Sequence, residues 1–324
     1  MLWLPTVVVL LVLAWGVAAL HYQLPGGAIG KAVTITAWVF IGIVTLYLLW
    51  THRPLGVAGF AMAFVLLLLW WQRIRPSNDR PWSDDVACMT RGEIRGDEAV
   101  LHNVRNFEWR TREDYTQRWE TRRYDLRRLG SVDLVTSYWT IPAIAHVLVS
   151  FGFDDGQYVV FSVEVRRRKH ESYSELAGFF RKFELSVIAA DERDIIAVRT
   201  NVRGEDDYLY RVRMPPGARR ALFEAYVSEA NSLLVRPRFY NTVTANCTTL
   251  LYHMMRQIVG HLPLHYKLVL SGYLPEYVYQ VGGLDTRLPF EELRRLGRIT
   301  DRARAAPADR TFSAAIRTGI PPVA

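Results

Sequence analysis

The chain has 324 residues, half of them apolar, and a formal net charge of +8. This length suffices for one large domain or two small ones in addition to membrane segments. Nucleic acid is a poor candidate partner, because acidic residues interrupt the basic stretches and the N-terminal region is typical of a membrane anchor. Two cysteines, Cys88 and Cys247, exclude a framework of several disulfides.

Three long apolar runs without acidic or basic side chains open the chain, at residues 2–20, 32–50 and 55–71. Each is close to the ~20 residues that a helix needs to cross the hydrocarbon core of a bilayer. Tryptophans lie near several of their ends, as is typical of the headgroup level. We predict three transmembrane helices. A cleaved signal peptide is the alternative for the first run, but that run lacks a basic segment before it and is long for such a peptide.

The distribution of basic residues gives an expectation for the side of the membrane. Arg73, Arg75 and Arg80 follow the third run, whereas each connecting loop carries a single lysine or arginine. Taken alone, the positive-inside rule favours a cytoplasmic main domain.

From residue 76 the chain becomes polar, and short strand-like and helix-like segments alternate. We therefore predict an anchor over residues 1–75, an α+β main domain over 76–262 and a helical C-terminal extension of it over 263–324. The predicted strands are 98–107, 145–153, 157–167, 185–190, 195–200 and 208–212. The predicted helices are 173–183, 216–234, a helix that begins near Cys247, and 290–298.

The clearest hairpin joins residues 145–153 to 157–167 through a turn centred on Asp155. With that centre, paired residues have numbers that sum to 310 (twice 155), so His146 lies opposite Glu164. Opposed side chains share one face of a sheet, and Glu164 would then hold one imidazole nitrogen. A slip of one residue would turn Glu164 to the other face. The alternative is an ordinary hairpin with a half-buried histidine and an edge carboxylate.

Cys247 lies where a polar segment gives way to apolar residues at helical spacing. Asn246 and Thr248 are residues that cap helices, so Cys247 is predicted in the first turn, where the helix dipole favours a thiolate. With His146 and Glu164 it would complete a triad of nucleophile, base and orienting residue. The alternative is a small buried hydrophobic side chain.

We predict neither a metal site nor another cofactor. His261 and His265 are four residues apart, but Pro263 lies between them and no cysteine or carboxylate completes a site.

The chain order of histidine, acid and Asn-Cys resembles the circularly permuted branch of the NlpC-type papain-like fold, to which lecithin:retinol acyltransferase belongs. More closely, residues 78–321 resemble the bacterial Lnb periplasmic domain family. The motifs that carry this resemblance are NDRPW (78–82), HNVRNF (102–107), YDL (124–126), IAH (144–146), SFGF (150–153), SVEVR (162–166), DERD (191–194), NCTT (246–249), FS (312–313) and IRTGIP (316–321).

The resemblance implies a lipoprotein N-acyltransferase with a permuted papain-like catalytic domain and an antiparallel sheet. Such an enzyme moves an acyl chain from a membrane phospholipid, through a cysteine thioester, to the N-terminal amine of a diacylated lipoprotein. Cys247 would be the nucleophile, His146 the base and Glu164 the orienting residue. Arg166 is a candidate contact for the donor phosphate, and Asn246 is a candidate substrate contact. The family also implies a periplasmic domain at the bacterial inner membrane, against the charge distribution.

Two alternatives stay open at the level of sequence. A cysteine peptidase or amidase that acts on cell-wall peptide would use the same triad, although the anchor favours a lipid substrate. A non-catalytic, membrane-anchored scaffold would keep the fold, although intact His146, Glu164 and Cys247 argue against it. The sequence also leaves open whether water replaces the amine in a hydrolase side activity, the oligomeric state and the role of Cys88.

Overall fold

The computed structural model describes residues 2–51 and 55–322 of the chain. They fall into two compact units. The first unit consists of Met1–Ser77, Tyr173–Glu184 and Phe239–Thr242, and the second of Asn78–Ser172, Leu185–Arg238 and Val243–Ala324.

The first unit contains the helices α1 (Trp3–Gln23), α2 (Ala28–Trp50) and α3 (Leu55–Arg73). Within the described ranges, these three are the helices long and apolar enough to cross a membrane, as the apolar runs predicted. A buried tryptophan joins them: Trp38 of α2 donates through Nε1 to the main-chain oxygen of Leu13 and stacks on Phe60 of α3. Gly16 permits this approach, because a Cβ atom there would collide with the Trp38 ring.

A short segment from the middle of the chain completes the first unit. It contains α4 (Glu175–Phe179), which is much shorter than the helix predicted over 173–183. The helix stops because Arg181 adopts a left-handed conformation, with φ of 54°. The guanidinium of Arg181 lies 4.9 Å from the ring centroid of Trp71 and donates to the main-chain oxygen of the same residue.

The second unit is built on a β-sheet. Its strands, and a separate two-stranded pair, are β1 (Arg91–Arg95), β2 (Glu98–Arg105), β3 (Glu108–Trp109), β4 (Tyr115–Thr116), β5 (Trp119–Asp125), β6 (Leu129–Tyr138), β7 (Ala145–Phe153), β8 (Tyr158–Arg166), β9 (Glu184–Ala190) and β10 (Asp206–Arg211). In the part of the chain that the structure describes, eight of them form one sheet in the order β1-β2-β9-β8-β7-β6-β10, with β5 paired to β2. The pairs β1–β2, β2–β5, β6–β7, β7–β8 and β6–β10 are antiparallel, whereas β2 and β9 pair parallel.

The α-helices of the second unit and a π-helix come after β9 in the chain. They are α5 (Glu192–Ile195), a π-helix (Val198–Arg203), α6 (Pro216–Val235), α7 (Cys247–Val259), α8 (Leu274–Gln280), α9 (Phe290–Gly297), α10 (Thr300–Ala305) and α11 (Phe312–Ile316). The mixture of a mostly antiparallel sheet with helices confirms the predicted α+β class.

Helices cover both faces of the sheet because the central strands are apolar at successive positions. On one face, Phe151 of β7 packs edge-to-face on Phe223 of α6, with ring centroids 5.3 Å apart. On the other face, Leu148 belongs to a core cluster with Ile195 and Phe312 from the small helices. Alternate residues of one strand therefore support both layers.

One predicted strand is wrong. Residues 195–200 form the end of α5 and the first half of the π-helix, not a strand. Asp191 starts this helical segment by accepting a hydrogen bond from the main-chain N–H of Arg193. A short apolar run has the same appearance in a buried helix and in a strand, which is why the pattern misled.

Candidate active site

The hairpin of β7 and β8 has the predicted register. Leu148 lies opposite Ser162 and Val149 opposite Phe161, so the paired numbers sum to 310. Where the strands continue beyond these pairs, His146 and Glu164 meet, with Nε2 3.2 Å from Oε1. The contact inferred from turn geometry is therefore present.

Ser162, which the sequence pattern does not predict as a site residue, joins this pair. Its hydroxyl lies 2.7 Å from Nε2 of His146 and donates to Oε1 of Glu164 at 2.7 Å. The signal was available, because Ser162 precedes Glu164 by two residues and is the diagonal neighbour of His146 on the same face. With Nε2 held by these two residues, Nδ1 is the imidazole nitrogen left for a third partner.

Cys247 is the first residue of α7, as predicted. The side chain of Asn246 accepts hydrogen bonds from the main-chain N–H groups of Thr248 and Thr249, both at 2.9 Å, and Thr249 returns one to the N–H of Asn246. This capping box fixes the start of the helix. Asn246 therefore caps α7, and its candidate contact with the substrate stays a prediction.

The thiol of Cys247 forms hydrogen bonds with His146 and with the main-chain N–H of Val147. Burial raises the pKa of this thiol, but the hydrogen bond and positive charge of His146 outweigh burial, so the pKa of Cys247 lies below its ordinary value. For His146 burial acts in the opposite direction and lowers the pKa. The negative charge of the Glu164 carboxylate outweighs burial and raises the pKa of His146 to about 9. The two shifts both favour a thiolate–imidazolium pair over the neutral thiol and imidazole.

Arg199 contacts the same carboxylate oxygen of Glu164 as the imidazole does. Its Nη2 atom lies 3.1 Å from Oε1 of Glu164, and its Nη1 atom lies 3.5 Å from Oε2 of Glu205. Burial raises the pKa of Glu164, but His146 and Arg199 outweigh burial and hold that pKa well below its ordinary value. Arg199 stands on the π-helix that was misread as a strand, and no pattern in the sequence connects it to Glu164.

Two buried acids, Glu205 and Asp207, meet at a hydroxyl on the strand beside His146. Ser137 of β6 is directly opposite His146, and its hydroxyl oxygen lies 2.5 Å from both Glu205 Oε2 and Asp207 Oδ1. One hydroxyl proton can be donated to only one carboxylate at a time. Burial raises the pKa of Asp207 to about 7, with the charge of Glu205 acting in the same direction. A proton on Asp207 therefore relieves the repulsion between the two acids.

The side chain of Arg166 is engaged by other groups of the second unit, and its candidate contact with the donor phosphate stays a prediction. Its guanidinium is buried, donates to the main-chain oxygens of Val86 and Ala87 and to the side chain of Asn78, and lies 4.4 Å from the ring centroid of Trp82. Asn78 and Trp82 belong to the NDRPW motif. The motif thus serves to enclose a buried arginine.

The DERD motif is the centre of a second buried network, which we name the charge hub and define as Arg105, Asp133, Glu192, Asp194 and Arg317. Arg105 Nε lies 2.8 Å from Asp194 Oδ2, and Arg317 Nη2 lies 2.6 Å from Glu192 Oε1 and 2.9 Å from Asp133 Oδ2. The hub therefore connects the HNVRNF and IRTGIP motifs through ion pairs within the second unit.

Over residues 2–51 and 55–322, no group of three or more histidine, cysteine, aspartate or glutamate residues could hold a metal ion. Cys88 and Cys247 are both free thiols. Burial raises the pKa of Cys88, in contrast to that of Cys247.

A thiol at the start of a helix, a histidine bonded to it and a carboxylate behind the histidine define a Cys-His-acid site on an α+β domain. The profile of the Lnb N-terminal periplasmic domain matches residues 115–272, a span that contains Cys247, His146 and Glu164. Residues 115–272 thus belong to the family that the sequence motifs indicated, over a shorter span than the motifs covered. No curated protein and no solved structure matches the chain significantly.

Proposed function

We propose that this protein is a lipoprotein N-acyltransferase of the bacterial inner membrane, with its second unit in the periplasm. The donor is a membrane phospholipid, and the acceptor is the N-terminal amine of a diacylated lipoprotein. The observation that carries the proposal is the Cys247 thiol, with its lowered pKa, bonded to His146 in a domain of the Lnb family. The three membrane-length helices on the same chain support a lipid substrate.

The first half-reaction acylates the enzyme. The Cys247 thiolate attacks the ester carbonyl of the phospholipid, and the bond between the carbonyl carbon and the glycerol oxygen breaks. The His146 imidazolium gives its proton to that oxygen, so a lysophospholipid leaves and a thioester remains on Cys247. Glu164, held by Arg199, keeps the imidazole oriented throughout.

The second half-reaction transfers the acyl group. The lipoprotein amine attacks the thioester carbon, the now neutral His146 takes a proton from the amine nitrogen, and the Cys247 thiolate leaves. An amide is formed, and the thiolate–imidazolium pair is restored. Because the two substrates react in turn through a covalent intermediate, ping-pong kinetics follow.

The start of α7 supplies a donor for the oxyanion of both tetrahedral intermediates. Asn246 occupies the main-chain N–H groups of Thr248 and Thr249. The N–H of Cys247, in the first turn of α7, has no partner within the helix, and it lies at the positive end of the helix dipole. An oxyanion formed on the carbon bonded to Sγ lies close to this group.

Intact-protein mass spectrometry tests the proposal. The purified full-length protein is mixed with phospholipid vesicles beside a Cys247→Ser control, and a diacylated lipopeptide is then added. We expect an acyl mass on the wild-type protein that moves to the N-terminus of the lipopeptide, and no acyl mass on the control. If folded wild-type protein gains no acyl mass, the lipid reaction is wrong and cleavage of cell-wall peptide becomes the reaction to test.

A further inference from the structure

An apolar cavity of about 330 Å³ lies inside the second unit, between the sheet and the helices that follow it. Leu134 and Val149, which are opposed across β6 and β7, form its sheet wall. Leu251 and Met255 of α7 form a second wall, and helix α8 closes it from a third side. This volume lies at the lower end of the ~300–1,000 Å³ that is typical of small-molecule sites.

Two walls of the cavity lead to the reactive thiol. On α7, Leu251 is one turn beyond Cys247 and on the same helix face, a rise of about 6 Å. On β7, the main-chain N–H of Val147 forms a hydrogen bond with the Cys247 thiol. Val149 is two residues further along this strand, about 7 Å from Val147. Since both elements run from Cys247 into the cavity, its near end lies within one layer of side chains of the sulfur.

The lining is mostly apolar, with Arg213 and His261 as its basic side chains. Tyr252 and Tyr277 are its two tyrosines, but their hydroxyls donate to the main-chain oxygens of Leu262 and Pro263, at 2.9 and 2.8 Å. Their rings therefore present carbon to the cavity. An aqueous or charged ligand would lose hydrogen bonds on entry, whereas a hydrocarbon would lose none.

We propose that this cavity receives the hydrocarbon chain of the acyl group carried on Cys247. The inference rests on the proposed function and deepens it, because it assigns the part of the molecule that selects the donor acyl chain. Along α7 the cavity extends from Leu251 to Val259, about 12 Å of helix, so it is elongated in the direction that leads away from the sulfur. A chain bonded to Sγ through its thioester would extend along this wall.

The proposal predicts a dependence on chain length. Each buried methylene contributes about fourfold to the preference for a longer chain, until the chain fills the cavity. A bulky side chain inside the cavity should therefore reduce acylation by long donors and leave short donors as substrates.

Met255→Trp places such a side chain on the α7 wall. Ile258→Trp is the matched control, since Ile258 is partly buried on the same helix but does not line the cavity. Val278→Phe closes the cavity from α8 and provides a second variant. Each protein is mixed with vesicles that contain equal amounts of dodecanoyl and hexadecanoyl phosphatidylethanolamine, and the acyl masses on the enzyme are measured. Alkylation of Cys247 by iodoacetamide at the wild-type rate shows that the thiolate site is intact.

We expect the hexadecanoyl-to-dodecanoyl ratio to fall at least about tenfold in Met255→Trp and in Val278→Phe, and to stay within about twofold of wild type in Ile258→Trp. An unchanged ratio in both cavity variants overturns the assignment, and so does an equal loss of both chains while Cys247 is still alkylated normally. These outcomes differ from failure of the proposed function, in which the wild-type protein gains no acyl mass from either donor.

Discussion

The candidate active site and the charge hub are both buried clusters of charged side chains on one sheet. They differ in how completely these side chains are paired with each other and shielded from solvent. In the hub, the side chains of Arg105 and Asp194 are 4 % and 0 % exposed and pair with each other. In the site, the side chains of His146 and Glu164 are 15 % and 19 % exposed, and the imidazole is bonded to a thiol. A saturated cluster stabilises the fold, whereas a cluster with an accessible, reactive member can do chemistry.

This difference explains why long sequence motifs can mislead about roles. The DERD motif has four charged residues and the HNVRNF and IRTGIP motifs have one arginine each. Glu192, Asp194 and both of these arginines, Arg105 and Arg317, are engaged in the hub. The catalytic candidates come from the short IAH, SVEVR and NCTT motifs. Charge density in a motif indicates buried ion pairs as readily as it indicates a reactive site.

The largest effect should come from removing the base of the site. His146→Ala should lower the rate of acylation about 10³-fold, because general acid–base catalysis and thiolate formation are both lost. Without the imidazole, burial alone raises the pKa of Cys247, so its alkylation by iodoacetamide at neutral pH should slow at least about tenfold. Peptide mass spectrometry measures both reactions, with Cys88 as the internal reference. Alkylation at the wild-type rate would contradict the thiolate–imidazolium pair.

Breaking the hub should instead reduce stability. Asp194→Ala leaves the guanidinium of Arg105 buried without its ion-pair partner, and we expect a loss of about 3–5 kcal/mol in the free energy of unfolding. Thermal unfolding of the full chain in detergent measures this. The control is Asp301→Ala, which removes an exposed ion pair with Arg298 and should cost less than about 1 kcal/mol. Equal effects of the two substitutions would show that the hub is not a stabilising element.

Arg199 shares a property with each cluster. Its side chain is buried like those of the hub, and it contacts Glu164 of the site. Arg199→Met should lower kcat about tenfold by releasing Glu164, with Arg199→Lys restoring part of the loss. Acylation should fall at alkaline pH as His146 loses its proton near a pKa of about 9. The positive charge of Arg199 lowers the pKa of His146, so this alkaline limb should move to higher pH in Arg199→Met. An unmoved pH profile would assign Arg199 a purely structural role.

The smallest effect concerns the acidic pair beside His146. The folded-state pKa of Asp207, about 7, lies above its ordinary value of 3.8, so the folded state binds the proton more tightly. Stability therefore declines as pH rises between these two values. Asp207→Asn removes this dependence and should raise the free energy of unfolding by about 1–2 kcal/mol above pH 7, with no gain below pH 4. Unfolding of both proteins across this pH range measures the difference, and parallel curves would contradict it.

The sequence by itself determined the features that depend on neighbouring residues. The three apolar helices follow from run length, the position of Cys247 follows from the capping pattern around Asn246, and the contact of His146 with Glu164 follows from the turn at Asp155. Each of these features depends on residues that are close together in the chain and on the regular spacing of side chains in a helix or a strand.

Only the tertiary structure decided which of the remaining charged residues serve the site. Arg199 reaches Glu164 from a π-helix, Arg166 is enclosed by the NDRPW motif, and Asp207 meets Glu205 at the Ser137 hydroxyl. The cavity beside Cys247 is formed in the same way, by strands and helices distant in the chain. Such contacts depend on how separate elements pack, and no local period in the sequence encodes that packing.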